Sequence, residues 1–463
     1  MSTLSSARSA SKAPSAASSA ESSAPSSVAS SAASSVASSA ASSQGSSAAL
    51  SPSGSVTSAP APAPSVSVSS LAASKPLVSI IIPLYNSMPY LRECLASVQA
   101  QRYTNFEVLC VDDASPDDSR AYVELLQRSD ARIKLLNSTN SNQQQNLGPG
   151  RARNVGLLHA QGTYVYCLDS DDILHARMLD TCVRALQRTN ADMLLFNFTT
   201  YNQRGACELE VQWGAPFREQ LPCNARTPFA WDTCPDVFFQ CVKNVPWNKM
   251  LHRRLIERSR ARFQEIYLTE DMMYSLPSAV CATRIVRSAQ PLLAHREFSG
   301  TNAMSDKGKH PLDVVCAFQQ LHRWLCERHH YQALRVTFGA WLAEALYYNL
   351  PAYKSADDFA QACAALAELL RAVPYADVCA ARDCAHHASV SSVLDAVLDV
   401  FYCSGEVRSS FSERDWLQFS LRLSNCAVHE VDSKVCEFQV EANALVKLLR
   451  RARLALHKRG LAL

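Results

Sequence analysis

The chain has 463 residues, of which 48% are hydrophobic and 19% are charged, and its formal net charge at pH 7 is +3. So small a charge argues against a nucleic-acid partner, because proteins that bind nucleic acid usually present a strongly basic surface. The 17 cysteines are an odd number without a Cys-x-x-Cys pair, which favours reduced thiols over a disulfide framework or a zinc site.

Residues 1–74 are almost entirely Ser, Ala, Pro and Val, and their only charged side chains are Arg8, Lys12 and Glu21. A segment with so few large apolar side chains cannot bury enough surface to offset the entropy lost on ordering. We therefore expect residues 1–74 to form a disordered tail. The same Ser-rich, acid-poor composition is also typical of organelle transit peptides, and the sequence leaves that alternative open.

Short apolar runs and amphipathic segments alternate from residue 77 onward. The predicted strands are 77–85, 106–113, 132–137, 163–169 and 192–198, and the predicted helices are 89–101, 117–128, 151–160 and 176–188. Because these strands are almost continuously apolar, they predict an α/β fold with a mostly parallel sheet covered by helices on both faces.

The pattern changes beyond Lys309, where strand-like runs become scarce. Helical periodicity instead marks the segments 314–330, 338–350 and 359–373. This change predicts an α/β domain at 75–305 followed by a helical accessory region at 306–463.

No stretch approaches the roughly 20 mainly apolar residues that span a bilayer. In the segment 444–459, leucines are interleaved with Lys and Arg. A basic amphipathic helix of this kind either lies on an anionic membrane surface or packs its leucines against the domain, and the sequence favours neither.

Polar side chains follow three of the predicted strands. Tyr85 and Asn86 follow the first strand, Asp113 ends the second, and the acidic run at 169–172 follows the fourth. Ligands of open α/β sheets bind beyond the carboxyl ends of the strands. We therefore expect these polar groups to converge on one edge of the sheet.

The three carboxylates of residues 169–172 repel one another, so the pKa of each would be raised unless a positive group lay close. No Gly-x-Gly-x-x-Gly or Walker-type phosphate loop is present, so a diphosphate bound at this edge would need a metal ion to neutralise it. Paired aspartates provide the oxygen ligands that suit Mn²⁺ or Mg²⁺. Alternatively, the acidic run is a solvated turn that opens the helix at Ala176, where acids favour the positive end of the helix dipole.

Seven segments resemble, in order and in spacing, the motifs of family 2 glycosyltransferases. They are VSIIIPLYN, FEVLCVDDASPDDS, GPGRARNVGL, GTYVYCLDSDD, VPWNKML, LTEDMMY and AHREFSGTNAMS, and they extend over about residues 76–305. The resemblance implies the GT-A fold and an activity like that of the sugar transferases that build bacterial polysaccharide and lipopolysaccharide.

The same resemblance implies roles for individual residues that match motif positions. It assigns nucleotide-sugar binding to Pro83, Tyr85, Asn86, Asp113, Arg153 and Asp169. It assigns metal binding to Asp169, Asp171 and Asp172, and proton transfer to Asp271 with Glu270. Trp247, Asn248 and Lys249 match an acceptor-side element, and His295, Arg296 and Ser299 match a loop that closes over the diphosphate.

The resemblance therefore implies an inverting transferase that depends on Mn²⁺ or Mg²⁺ and moves a sugar from a nucleoside diphosphate to a glycan or lipid-linked acceptor. A carboxylate on the face of the sugar opposite the diphosphate can take the acceptor's proton, and direct displacement from that face inverts the anomeric carbon. We expect a UDP-sugar donor and a cytoplasmic protein, with or without peripheral contact at the inner face of the membrane through 444–459.

Other functions stay open on the sequence. A sugar nucleotidyltransferase would need a glycine-rich, basic loop after its first strand, where this chain has PLYNSMP. Haloacid-dehalogenase-type phosphatases carry Asp-x-Asp after their first strand, whereas here it follows the fourth. A degenerate transferase domain would bind a nucleotide sugar or a glycan without turnover, and the intact acids argue against it.

Overall fold

The structure is a computed structural model that describes residues 76–138, 145–201, 209–211, 226–296, 310–350, 353, 355–385 and 387–429. The predicted tail at 1–74, the segment 444–459 and Ser299 lie outside the described residues.

Strands and helices alternate through the first part of the described chain, as the sequence predicts. In chain order they are β1 (Val78–Leu84), α1 (Met88–Gln99), β2 (Phe106–Asp112), α2 (Ser119–Ser129), β3 (Ile133–Asn137), α3 (Pro149–His159), β4 (Tyr164–Cys167), β5 (Ile173–Leu174), α4 (Met178–Thr189) and β6 (Met193–Tyr201). Every strand and helix expected before residue 200 is present near its predicted bounds. The short strand β5 was not predicted, because two residues give no periodic signal.

Three strands and three α-helices are described in the segment between β6 and residue 296. The elements are β7 (Leu209–Val211), α5 (Phe238–Val242), β8 (Lys249–His252), α6 (Arg253–Ser259), α7 (Met272–Cys281) and β9 (Ile285–Arg296).

The described chain after residue 309 is helical, which confirms the expectation from its periodicity. The helices are α8 (Asp313–Glu327), α9 (Tyr331–Asn349), α10 (Ala356–Arg371), α11 (Tyr375–Asp383), α12 (Ala388–Phe401) and α13 (Glu413–His429), with a short hairpin of β10 (Tyr402–Cys403) and β11 (Glu406–Val407) before α13. Within the described ranges, none of the helices combines the length and apolar character that crossing a membrane requires.

Nine strands of the described chain form one mixed sheet in the order β3-β2-β1-β4-β8-β6-β9-β5, with β7 paired to β6. β1 pairs in parallel with β2 and β4, β2 with β3, and β6 with β9. β8 lies antiparallel between β4 and β6, so the fourth and fifth predicted strands are not neighbours. The mostly parallel α/β sheet is confirmed, and the insertion of β8 brings the segment that precedes it to the middle of the sheet edge.

Hydrophobic cores cover both faces of this sheet. On β1, Ile81 belongs to one core, whereas Ile80 and Ile82 belong to the other, and all three side chains are fully buried. The Ile81 core extends through α7 into the helical region, and the other core includes the apolar faces of α1 and α4. Successive strand residues point to opposite faces, so a sheet covered on both sides requires the continuous apolar runs seen in the sequence.

Candidate active site

A cleft of about 630 Å³ lies at the carboxyl ends of β1, β2 and β4. Tyr85, Asp113, Asp169 and Asp171 all line it, so polar residues that follow three separate strands meet in one place. Asp271, at the start of α7, lines the same cleft. This convergence follows from the order of parallel strands, since their carboxyl ends share one edge of the sheet.

An aromatic ring and a buried carboxylate occupy the part of the cleft beside β1 and β2. Tyr85 is 44% exposed, whereas Asp113 is buried. Pro83 and Asn86 line the cleft next to Tyr85, and Asn86 has a φ of 51°, a left-handed conformation that asparagine tolerates better than most residues. A ring beside a hydrogen-bond acceptor is suited to holding a flat heteroaromatic group.

The Asp113 carboxylate also fixes the loop that enters α3. It accepts hydrogen bonds from the backbone N–H groups of Leu147 (3.0 Å) and Gly148 (2.7 Å), and from the hydroxyl of Ser138. Gly148 has a φ of +91°, a conformation that favours glycine. Asp113 therefore joins the end of β2 to the start of α3 as well as lining the cleft.

Arg153 on α3 connects two of the predicted site acids. Its buried guanidinium donates to Asp169 at 2.7 Å and to Glu270 at 2.6 Å. Gly150 lets α3 approach this closely, because a Cβ at that position would collide with the backbone carbonyl of Gln264 and the side chain of Glu270. Gly150 therefore allows the Arg153 guanidinium to lie between the acid at the end of β4 and the acid before α7.

Asp169 and Asp171 line the cleft at the end of β4. Burial raises the pKa of Asp171 to about 7, and the neighbouring carboxylates of Asp172 and Asp169 contribute to the rise. Arg153 balances the charge of Asp169 at 2.7 Å. A cation beside Asp171 would favour its ionised form, so these two carboxylates suit a divalent ion.

Asp172 does not share the position of the other two acids, although the motif resemblance assigned all three to metal binding. It is fully buried, and it is not among the described residues that line the cleft. Its carboxylate accepts from the Nδ1 of His295 at 2.9 Å and from the backbone N–H of Arg296 at 2.9 Å. Asp172 is therefore bound to the end of β9, because a buried carboxylate needs such donors. Within the described ranges, no group of three or more His, Cys, Asp or Glu side chains is arranged to hold a metal ion.

His295 and Arg296 also differ in their positions. His295 lines the cleft. Burial alone would lower its pKa, but the Asp172 carboxylate raises the pKa of His295 to about 9. The Arg296 guanidinium does not reach the described lining of the cleft and donates to the Asp171 backbone carbonyl at 3.1 Å and to Glu93 at 2.8 Å. Arg296 therefore stabilises the loop after β4 from the side that faces away from the cleft.

The two acids before α7 have different surroundings. Glu270 accepts from Arg153, whereas Asp271 accepts from the side-chain amide of Asn244 at 2.6 Å. Burial raises the pKa of Asp271 to about 8, and the Glu270 carboxylate adds to the rise. Thr269, just before them, has a φ of +62°, a conformation that is costly for a β-branched residue. Asp271 can accept a proton near neutral pH, because its pKa lies close to that range.

Only one residue of the predicted acceptor element 247–249 lines the cleft. The Trp247 ring stacks on His295 with centroids 4.3 Å apart. Asn248 is buried, and its Oδ1 has no hydrogen-bond partner among the described residues. Lys249 is fully buried, its Nζ donates to the carbonyls of Lys243 (3.2 Å) and Val245, and burial lowers its pKa to about 7. Lys249 thus holds the turn at 243–246 from below.

The sequence interpretation missed one wall of the cleft. That wall consists of the turn at Lys243 and Asn244 and of α9, which contributes Trp341, Glu344, Ala345, Tyr348 and Asn349. The α9 residues are spaced as one face of a helix. Their signal was present in FGAWLAEALYYNL, where aromatic and polar side chains interrupt an otherwise apolar helix.

Comparisons with known proteins identify a glycosyltransferase domain. The family model described as Glycosyl transferase family 2 matches residues 79–234. This chain carries a family 2 glycosyltransferase domain. The matched range contains Tyr85, Asp113, Arg153 and the acidic run at 169–172, whereas Asp271 and α9 lie beyond it.

Two similar curated proteins are bacterial glycosyltransferases. Glycosyltransferase GlyG of Streptococcus pneumoniae serotype 4 is 33% identical over 127 residues, which are 27% of this chain and 40% of GlyG. The poly(ribitol-phosphate) β-N-acetylglucosaminyltransferase TarS of Staphylococcus aureus is 36% identical over 211 residues, which are 45% of this chain and 33% of TarS. The chain thus spans less than half the length of these two curated relatives.

The fold is also similar to a solved structure. The crystal structure of S. aureus TarS 1–349 in complex with UDP-GlcNAc aligns with a TM-score of 0.57 at 19% identity, covering 76% of this chain and 91% of that one. The coverage of this chain exceeds the range of the family model, so the similarity extends past the glycosyltransferase domain into the helical region. The GT-A fold expected from the motifs is confirmed.

Proposed function

We propose that this protein transfers a sugar from a UDP-sugar to a glycan or lipid-linked acceptor during surface-polymer synthesis, with inversion at the anomeric carbon. One observation carries the proposal: Tyr85, Asp113, Asp169, Asp171 and Asp271 line a single cleft of about 630 Å³. A cleft of this size can hold a nucleotide sugar. It provides an aromatic ring, paired acids and a separate proton acceptor in one space.

The proposed donor orientation follows from the position of these groups. The base would stack on Tyr85 and donate a ring N–H to Asp113, and the diphosphate would extend toward Asp169 and Asp171. The TarS structure contains UDP-GlcNAc, which supports UDP-N-acetylglucosamine as the first donor to test. The TarS name also specifies poly(ribitol phosphate) as the acceptor of that enzyme.

We propose Mn²⁺ or Mg²⁺ as cofactor, held by Asp171 with Asp169. The donor set fits, because Mg²⁺-type sites use one or two carboxylates and complete their coordination with substrate phosphates and water. The raised pKa of Asp171 supports this assignment, since a carboxylate without a nearby cation is costly to ionise there. An ion bound there supplies Lewis-acid neutralisation of the leaving diphosphate.

Asp271 acts as the general base in this proposal. The acceptor hydroxyl would lie within hydrogen-bond reach of Asp271, lose its proton to that carboxylate and attack the anomeric carbon on the face opposite the diphosphate. Asn244 orients Asp271 through its 2.6 Å hydrogen bond. Arg153 neutralises Glu270, so Asp271 is the carboxylate of this pair that would accept the proton of the acceptor hydroxyl.

A donor screen tests the proposal. The purified full-length chain is incubated with a panel of UDP-, GDP- and dTDP-sugars and Mn²⁺, and nucleotide release is measured with and without an acceptor panel. We expect release from one UDP-sugar or a few of them. Tight nucleotide binding without release from any donor would favour the binding-module alternative, and pyrophosphate formation from a sugar phosphate and UTP would favour a nucleotidyltransferase.

A further inference from the structure

The helix α9 presents one face to the cleft. Trp341, Glu344, Tyr348 and Asn349 line it, and their spacing of three, four and one residues places them along one side of the helix. Tyr348 is 58% exposed, the largest exposure among these four side chains. This face therefore presents an aromatic ring and polar atoms to a ligand in the part of the cleft beside α9.

The α9 face lies on the side of the cleft that holds Asp271. Glu344 forms an ion pair with Lys243 at 3.0 Å, and the next residue, Asn244, donates to Asp271 at 2.6 Å. The donor-side residues Tyr85 and Asp113 belong instead to the ends of β1 and β2. A group bound against α9 would therefore belong to the acceptor, the molecule whose hydroxyl Asp271 deprotonates in the proposed reaction.

Lys243 and Asn244 form a turn whose side chains contact both α9 and Asp271, and Lys243 has an energetically costly backbone conformation. Lys243 has a φ of 58° and a ψ of 157°, at the edge of a region that is occupied almost only by glycine. Lys249 donates from below to the Lys243 carbonyl, and the Lys243 ammonium lies 4.5 Å from the centroid of the Trp341 ring. Such strain persists only where surrounding contacts fix it, and it concentrates at ligand sites.

The chemistry of the α9 face favours an uncharged, hydroxyl-rich ring. Lys243 balances the charge of Glu344, so the pair presents no net charge to a ligand. Trp341 is only 9% exposed, and its indole Nε1 has no hydrogen-bond partner among the described residues. Tyr348 offers an exposed ring for stacking, and Asn349 offers an amide. Aromatic rings beside a few polar groups are the surface that a sugar ring can use, whereas a phosphate would need an unbalanced cation.

We propose that the α9 face, formed by Trp341, Glu344, Tyr348 and Asn349, is a subsite for an uncharged sugar unit of the acceptor, one unit beyond the sugar whose hydroxyl reacts. This inference rests on the proposed transferase function. It adds that the acceptor is an oligosaccharide or longer glycan and that the helical region selects it by length.

The test measures how the acceptor KM depends on acceptor length. The probes are mono- to tetrasaccharides of β-linked N-acetylglucosamine, glucose and galactose, assayed with the full-length chain and the donor that the screen identifies. We compare Tyr348→Ala, the conservative Tyr348→Phe, and the control Tyr375→Ala. Tyr375 is exposed on α11 and lies outside the described lining of the cleft.

We expect unsubstituted protein to use at least one oligosaccharide with a lower KM than its monosaccharide. Tyr348→Ala should raise the oligosaccharide KM about fivefold to tenfold, so that the preference for the longer acceptor is lost. Tyr348→Phe should retain the preference, since it keeps the ring, and Tyr375→Ala should match unsubstituted protein.

Two results would overturn the subsite and leave the transferase proposal standing. They are donor hydrolysis without any preference for longer acceptors, and a length preference that survives in Tyr348→Ala. The absence of turnover with every donor would instead overturn the proposed function and the subsite together.

Discussion

Glu270 and Asp271 are consecutive residues whose carboxylates have different partners, since Glu270 accepts from Arg153 at 2.6 Å and Asp271 accepts from Asn244 at 2.6 Å. The first carboxylate is neutralised by a buried cation. The second is hydrogen-bonded by a neutral amide, and burial raises its pKa to about 8. One dipeptide thus provides both a structural ion pair and a candidate base.

The base assignment predicts the effect of Asp271→Asn. The amide keeps the size of the side chain but cannot take a proton, so we expect kcat to fall by about 10²-fold to 10⁴-fold with UDP affinity unchanged. The melting temperature at pH 8 should hold or rise, because the variant removes a carboxylate that burial makes costly to ionise. The exposed Asp236→Asn serves as the matched control. Normal turnover by folded Asp271→Asn would refute the assignment.

The raised pKa of Asp271 predicts an acidic limb in the pH profile. The ionised form is the active one, so kcat/KM should rise about tenfold per pH unit and level off above pH 8. The hydrogen bond from Asn244 lowers the pKa of Asp271, so Asn244→Ala should move the limb to higher pH. Measuring kcat/KM from pH 5.5 to 9.5 in unsubstituted protein and in Asn244→Ala checks this, and an unmoved limb in Asn244→Ala would count against it.

Arg153→Ala should destabilise the fold strongly. It removes the buried cation between Asp169 and Glu270, and breaking a buried ion pair from one side costs about 3–5 kcal/mol in the free energy of unfolding. Arg151→Ala is the neighbouring control, because its pair with Glu265 is exposed and should contribute only about 0–1 kcal/mol. Urea unfolding of the three proteins measures both. Equal losses in the two variants would contradict the structural role given to Arg153.

The positions of the aspartates predict different responses to metal. We expect Mn²⁺ to strengthen UDP binding about tenfold or more in unsubstituted protein, with Asp171→Asn losing that gain and Asp172→Asn keeping it. Asp172→Asn should instead lower the pKa of His295, whose charged form the Asp172 carboxylate favours. Calorimetric titration of UDP with Mn²⁺ or with EDTA checks the first effect, and NMR titration of His295 checks the second. If folded Asp172→Asn lost the Mn²⁺-dependent increase in UDP affinity, Asp172 would be a metal ligand after all.

Much of the α/β framework was readable from the sequence, because each element has a local signal. The run VSIIIPL is apolar at every position except Ser79, as a strand covered on both faces requires, and it forms β1. The convergence of Tyr85, Asp113 and Asp169 was also predictable, since parallel strands end on the same edge. The motif resemblance added Arg153 and Asp271, which periodicity alone could not single out.

Long-range pairing and side-chain direction were not readable in the same way. Nothing local indicates that β8 inserts antiparallel between β4 and β6, because strand partners are decided by the whole sheet. Asp171 and Asp172 are adjacent in sequence, and only the position of β9 explains why Asp172 turns away from the cleft. The face of α9 that meets the cleft likewise depends on how the helical region packs.

The hydrogen bonds of Asp113 join the position proposed for the nucleobase to the start of α3. The carboxylate that would receive a base N–H also holds Gly148, and α3, with Arg153 in its second turn, begins at the following residue. A base N–H that competed for this carboxylate would weaken a hydrogen bond that fixes the residue before α3. That helix carries Arg153, the cation between Asp169 and Glu270. We expect nucleotide binding at Asp113 to change the position of Arg153 relative to Asp169 and Glu270.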